Sequence, residues 1–267
     1  MINNDFINKT IKNGLNLIKK DFDLPSMTDI EIFIKAVKEI LFPQVFSSQK
    51  EPTKDDIDLN SKMHTMLNKT YSNNLEEIKK IITGFLSNLP KLQTLLIQDA
   101  KAIYKGDPSA TNLSEIIVCF PGFEAILNYR IAHVLYNLDI PVIPRMITEL
   151  SHSITGVDIH PAAKIGHSFC IDHGTGIVIG GTAVIGNNVK LYQGVTLGAF
   201  SVSRKNIAKR HPTIEDNVTV YARSTILGGD TVIGKSAVIG GNTWITSSIP
   251  AQATIYLSQP SNQKCKL

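Results

Sequence analysis

A chain of 267 residues with a formal charge of +4, 43% hydrophobic and 19% charged residues has the make-up of an ordinary globular protein of one large or two modest domains. It lacks a basic stripe with interleaved aromatics, so nucleic acid is not an expected partner. No apolar run approaches the ~20 residues that span a bilayer, so no membrane association is expected. Cys119, Cys170 and Cys265 are widely spaced. That argues against a disulfide framework or a cysteine zinc site and for a reducing compartment. The segment Met1 to Lys20 lacks the apolar core and cleavage site of a signal peptide, so a cytoplasmic location is expected.

The first half carries helical periodicity. Phe6, Ile7, Ile11, Leu15 and Ile18 share one face, as do Ile30, Phe33, Ile34, Val37 and Leu41 after a cap at Thr28, with Pro43 as the stop. Further helices are predicted over 53–71, 75–86, 91–104, 123–138 and 143–153. Gly106-Asp107-Pro108 is a stop signal, and Pro144 an interruption of the last helix. Residues 1–154 are therefore read as an α-helical domain.

Near Thr155 the period changes from 3.6 to six. Large aliphatic residues recur at Ile159, Ile165 and Ile171, then at Ile179, Ile185, Leu191 and Leu197. Ile214, Val220 and Ile226 follow, then Ile233, Ile239 and Ile245. Such a hexad pattern marks a β-solenoid, in which each repeat supplies one short strand and one turn and stacked coils bury a continuous column. The recurrent Ile-Gly pairs at Gly166, Gly180, Gly186, Gly234 and Gly240 are read as corners that need glycine's backbone freedom. The fold class is α+β: a helical domain, a parallel β-helix over 155–250, and a short tail over 251–267. One long break, residues 198–213, carries four basic residues and is a natural place for function.

Asp172-His173-Gly174 offers an imidazole beside a carboxylate, a general-base arrangement. Asp158 lies fifteen residues back, just under one coil, and so on a neighbouring layer. His160, before Pro161, reads as a turn residue. Two other readings compete. Three of the histidines could ligate zinc in a solenoid hydratase, which would carry stoichiometric metal. Alternatively, the solenoid could be a non-catalytic scaffold, which would bind no coenzyme.

The stretches Val157 to Gly166, Ile171 to Gly180 and Thr182 to Gly186 resemble serine O-acetyltransferases of the hexapeptide-repeat acyltransferases. Val195-Thr-Leu-Gly198 and Lys209-Arg-His-Pro212 extend the likeness. Upstream, Gly106-Asp-Pro108, Pro121 to Ala125 and Tyr129 to His133 add to it. The resemblance runs from about Leu89 to Ile255.

It implies a left-handed solenoid that assembles as a homotrimer or a dimer of trimers. It implies transfer of acetyl from acetyl-CoA to L-serine, the first step of cysteine biosynthesis, with no metal. His173 would be the general base and Asp158 its partner. Asp107 and Asp172 would bind the serine ammonium, Arg210 its carboxylate, and His211 would help close the site, from a neighbouring subunit. Ala199, Ala222 and Gly241 would face acetyl-CoA. L-cysteine would be a feedback inhibitor, and the tail ending at Leu267 could bind O-acetylserine sulfhydrylase. The chain departs from the family at Gly198-Ala199-Phe200, where a second glycine is usual, and at Tyr221-Ala222-Arg223-Ser224, which puts bulk near the coenzyme.

Overall fold

A computed structural model describes residues 9–12, 23–47, 58–71, 74–200 and 209–257. The helix expected around Phe6 to Ile18, apart from residues 9–12, and the tail from 258 onward lie outside this set. Helix α1 (Met27–Leu41) starts two residues earlier than a cap at Thr28 would place it. Ser26, not Thr28, is its cap, and forms a reciprocal capping box with Asp29. Pro43 does stop α1, and then occupies the first turn of α2 (Pro43–Phe46), where its missing N–H costs nothing. Helix α3 (Leu59–Thr70) is capped by Asp58.

The two helices predicted over 75–86 and 91–104 are one, α4 (Leu75–Gly106), with Pro90 inside it. Ser87 Oγ and Asn88 Nδ2 each donate to Gly84 O at 2.8 Å, in the turn before the proline. A short helix that the periodicity does not reveal, α5 (Leu113–Cys119), follows under an Asn112 cap. Helix α6 (Pro121–Asn137) is buried on nearly every side and shows little amphipathic pattern. Helix α7 (Ile143–Thr155) carries Pro144 in its first turn, so that residue begins the helix instead of interrupting it.

From Asp158 onward short strands wind into a parallel β-solenoid with three faces. Face one is β1 (Asp158–Ile159), β4 (Val178–Ile179), β7 (Thr196–Gly198), β10 (Thr225–Leu227) and β13 (Trp244–Ile245). Face two is β2 (Lys164–Ile165), β5 (Val184–Ile185), β8 (Thr213–Ile214) and β11 (Val232–Ile233). Face three is β3 (Cys170–Asp172), β6 (Lys190–Tyr192), β9 (Thr219–Val220), β12 (Val238–Ile239) and β14 (Thr254–Ile255). The hexad residues stack in register: Ile159, Ile179, Leu197, Ile226 and Ile245 form one column. Ile165, Ile185, Ile214 and Ile233 form the second. Ile171, Leu191, Val220, Ile239 and Ile255 form the third. A six-residue period therefore becomes three internal ladders, each side chain resting on its equivalent one coil away.

The corners correct one expectation. The glycines of the Ile-Gly pairs have no positive φ; the left-handed solenoid residues are instead Ser168, His173, Asn188, Asn217, Arg223, Ser236, Asn242 and Gln252, with Gly174, Gly176, Gly194 and Gly228. The pair glycines are needed for closeness. A Cβ on Gly166 would lie 2.7 Å from the Gly186 carbonyl carbon, and one on Gly240 2.8 Å from Ile255 O.

The helices dock on the first coil through α6. Tyr129 Oη donates to Ala163 O at 2.6 Å, and His133 Nδ1 lies 2.7 Å from Pro161 O. Arg130 grips Asp99 of α4 through Nε at 2.5 Å and Nη2 at 2.9 Å, and its Nη2 also donates to Gly166 O at 2.7 Å. Asp99 in turn accepts the Phe169 amide at 2.8 Å. The carboxylate, fully buried, is thus satisfied from both halves of the chain.

Candidate active site

The candidate residues fall on two edges of the prism. The edge between faces three and one carries His173, placed at φ 60 just beyond β3. Its ring is exposed, with Nε2 3.5 Å from Asp172 Oδ1. Asp172 Oδ2 accepts from Lys190 Nζ at 2.8 Å, and the same ammonium donates to Gly106 O at 2.8 Å. Lys190 therefore ties β3 and β6 to the C-terminus of α4, where cations are favoured. Its ammonium also sits 4.5 Å from the centre of the Tyr192 ring, which stacks on Tyr221 at 4.9 Å. Burial works against the lysine's charge, but its Asp172 and Tyr192 partners more than offset it and raise its pKa.

Asp107, the C-cap of α4, reaches the same edge. Its carboxylate accepts from the Ser109 hydroxyl at 2.6 Å and amide at 2.9 Å. Those bonds, with the nearby charges of His173 and Lys190, hold it below the usual carboxylate range. Cys170 lies close by, its thiol pushed up to about 12 chiefly by burial, so it is inert.

Asp158 stands apart from this group. It opens β1 and lies 3.7 Å from Arg145 of α7, which also pairs with Glu149. Among the described residues no hydrogen bond or ion pair joins Asp158 to His173. Glu149, His152 and Asp158 offer ligand atoms within 4.8 Å of one another. Arg145 already meets both carboxylates, so the cluster is built as an ion-pair network, and it differs from the three-histidine set a zinc hydratase would use.

Arg210 and His211 occupy the other edge, between faces one and two, where the break after β7 returns to β8. His211 is buried, and the Cδ2–Nε2 side of its ring packs against Gly180, leaving no room for a Cβ there. Thr182 holds this return: its hydroxyl oxygen accepts the Arg210 amide at 2.9 Å and the His211 amide at 3.1 Å. Burial, then the charges of Arg210, His160 and Lys209, lower the pKa of His211. His160, under Gly181 on the same edge, is lowered too, mainly by burial. Of the residues expected to face the coenzyme, Ala199 follows β7 on this edge, whereas Ala222 and Gly241 lie on adjacent coils of the His173 edge.

Lys190, Thr182 and His160 were not legible as site residues in the sequence. Lys190 sits opposite Cys170 in strand register, and Asp172 opposite Tyr192. The hexad register therefore contains the signal, but only once coil boundaries are known.

A helical region docked on a three-faced coil of hexapeptide repeats, with ionisable groups gathered at two edges, defines a β-solenoid protein of the hexapeptide-repeat class. Residues 52–127 match the family model "Serine acetyltransferase, N-terminal". The chain is 45% identical over 190 residues to the plasmid serine acetyltransferase of Synechococcus elongatus, covering 69% of this chain and 59% of that protein. It matches the serine acetyltransferase of Synechocystis at 46% over 133 residues, 50% of this chain and 52% of that one. The matches thus span between half and two thirds of these relatives' length. Serine acetyltransferase 1 of Entamoeba histolytica, solved with L-cysteine, superposes with a TM-score of 0.77 at 36% identity, over 85% of this chain and 86% of that one. The Neisseria gonorrhoeae enzyme, solved with serine, gives 0.63 at 29%, over 88% and 84%. The chain belongs to the serine acetyltransferase family.

Proposed function

We propose that this protein transfers the acetyl group of acetyl-CoA to the hydroxyl of L-serine, giving O-acetyl-L-serine and CoA at the entry to cysteine synthesis. The observation that carries the reading is the placing of carboxylates and an imidazole on one edge and of a guanidinium on the other. Asp107, Asp172 and His173 offer acceptors on one, and Arg210 offers a forked donor on the other. A zwitterionic amino acid needs both. Because the edges are different corners of one prism, a single site is completed where two prisms meet. This supports a homotrimer, with Arg210 and His211 supplied by the neighbouring copy. Ala199 on one edge and Ala222 and Gly241 on the other then form opposite walls of one coenzyme groove.

In this reading His173 takes the serine hydroxyl proton as the oxygen attacks the thioester carbonyl. The C–S bond breaks, and the imidazolium returns its proton to the CoA thiolate, with no acyl-enzyme. Asp107 and Asp172 hold the ammonium, and Arg210 with His211 holds the carboxylate. Asp158 is the partner of His173 in the assembled site and exchanges its Arg145 contact for that role. We read 1–154 as the helical domain, 155–250 as the solenoid and 251–267 as the tail. L-Cysteine, found in the Entamoeba relative, is assigned to the serine pocket as an inhibitor. Among the described residues no helix is long and apolar enough to cross a membrane; a cytoplasmic location and a sulfhydrylase partner for the tail complete the proposal.

The test is acetyl-CoA cleavage with L-serine as acceptor. His173→Ala should lower kcat by about 10²–10⁴, the usual contribution of a general base. Near-normal turnover in that variant would refute the assignment.

A further inference from the structure

The hydrogen bonds around His211 fix its protonation pattern. The Thr182 amide donates to His211 Nδ1 at 3.1 Å, and the Thr182 hydroxyl lies 2.7 Å from the same nitrogen. That hydroxyl oxygen already accepts the amides of Arg210 at 2.9 Å and His211 at 3.1 Å. With both lone pairs engaged, its hydrogen is left to point at Nδ1. An amide N–H cannot face a second N–H, so Nδ1 carries the lone pair and the ring proton resides on Nε2. Among the described residues Nε2 has no hydrogen-bond partner, although His211 is only 8% exposed. The neighbouring His160 is set the same way, its Nδ1 accepting the Ala162 amide at 3.0 Å.

We propose that Thr182 is a positioning residue: it locks His211 in the Nε2–H tautomer and presents that N–H, beside the Arg210 guanidinium, to the carboxylate of the amino-acid acceptor. The substrate half of this inference rests on the proposed function; the tautomer half does not. Burial and the flanking Arg210, His160 and Lys209 charges also favour the neutral ring. A neutral imidazole held by two donors at Nδ1 can only donate at Nε2. This edge therefore recognises an anion and cannot supply a second base. The same hydroxyl anchors both backbone amides of Arg210-His211, so one side chain sets the position of the pair.

The experiment has two arms on the full chain. In the first, NMR of ¹⁵N-histidine-labelled protein reads which ring nitrogen of His211 is protonated. Nε2 is expected in the native protein and in Thr182→Ser; Thr182→Val keeps the backbone amide but loses the hydroxyl that holds the Arg210 and His211 amides, so the ring is expected to drift off that amide and sample both tautomers. In the second, Thr182→Val should raise KM for L-serine about tenfold, as expected for loss of one charge-assisted contact. Its KM for acetyl-CoA should stay within about twofold, and Thr182→Ser should restore the serine KM. A proton on Nδ1 in the native protein overturns the proposal. So does an unchanged serine KM in Thr182→Val, or a loss in which kcat and melting temperature fall together while both KM values hold. A native protein that does not acetylate serine would defeat the functional reading, and the NMR arm alone would then judge Thr182.

Discussion

At the scale of single residues, the site is governed by what each side chain excludes. Gly180 lies under the His211 ring with no space for a Cβ. Gly180→Ala should therefore displace that ring and raise KM for L-serine while leaving the melting temperature within a few degrees, measured by steady-state kinetics and calorimetry. His173 was legible as the candidate base because it stands beside Asp172 in a corner, and the structure puts it at the surface with Asp107 and Lys190 nearby. Lys190 was not legible. A lysine in a strand reads as a solvated face until Gly106 and Asp172 are seen to converge on it.

At the scale of elements, the clearest device is the clamp between α4, α6 and the first coil. The Arg130–Asp99 pair is buried on both sides, with side-chain exposures of 5% and 0%. Arg130→Met strands an unpaired carboxylate in the interior, a change that costs about 3–5 kcal/mol in comparable pairs. Chemical unfolding should show that loss, and Asp99→Leu in the same chain should recover part of it. The helices also show how periodicity misleads at prolines. The helices read separately over 75–86 and 91–104 are one, with Pro90 inside it. Pro144 suggested a break where it opens the first turn. Helix α5 spans only seven residues, too short a run for a 3.6-residue period to declare itself.

At the scale of the whole molecule, three buried or half-buried imidazoles impose a pH dependence. His133, His160 and His211 all have lowered pKa values, in each case chiefly through burial. The unfolded chain binds protons to them near the ordinary value of about 6.5, and the folded chain only at lower pH. Their contribution to stability is thus complete above that value and declines as pH falls toward the folded values. The melting temperature should drop between about pH 7.5 and pH 5; a flat profile across that range would contradict the burial of these rings.

The hexad period was enough to specify a parallel solenoid and the residues of its three internal ladders, because a repeat of six can bury a continuous column only by coiling. Asp172-His173-Gly174 stood out as a local imidazole-carboxylate pair, whereas Arg210 and His211 became candidates only through the family resemblance. Periodicity could not say which corner of the prism each would occupy, since inserted residues and the long break after Leu197 shift the count between coils. The placing of Asp107, Asp172 and His173 on one edge and of Arg210 and His211 on the other exists only once the coils are stacked. The same holds for the role of Thr182, whose partners lie 28 and 29 residues away along the chain. Hydrogen-bond geometry across coils belongs to three-dimensional packing, and no linear spacing encodes which ring nitrogen holds the proton.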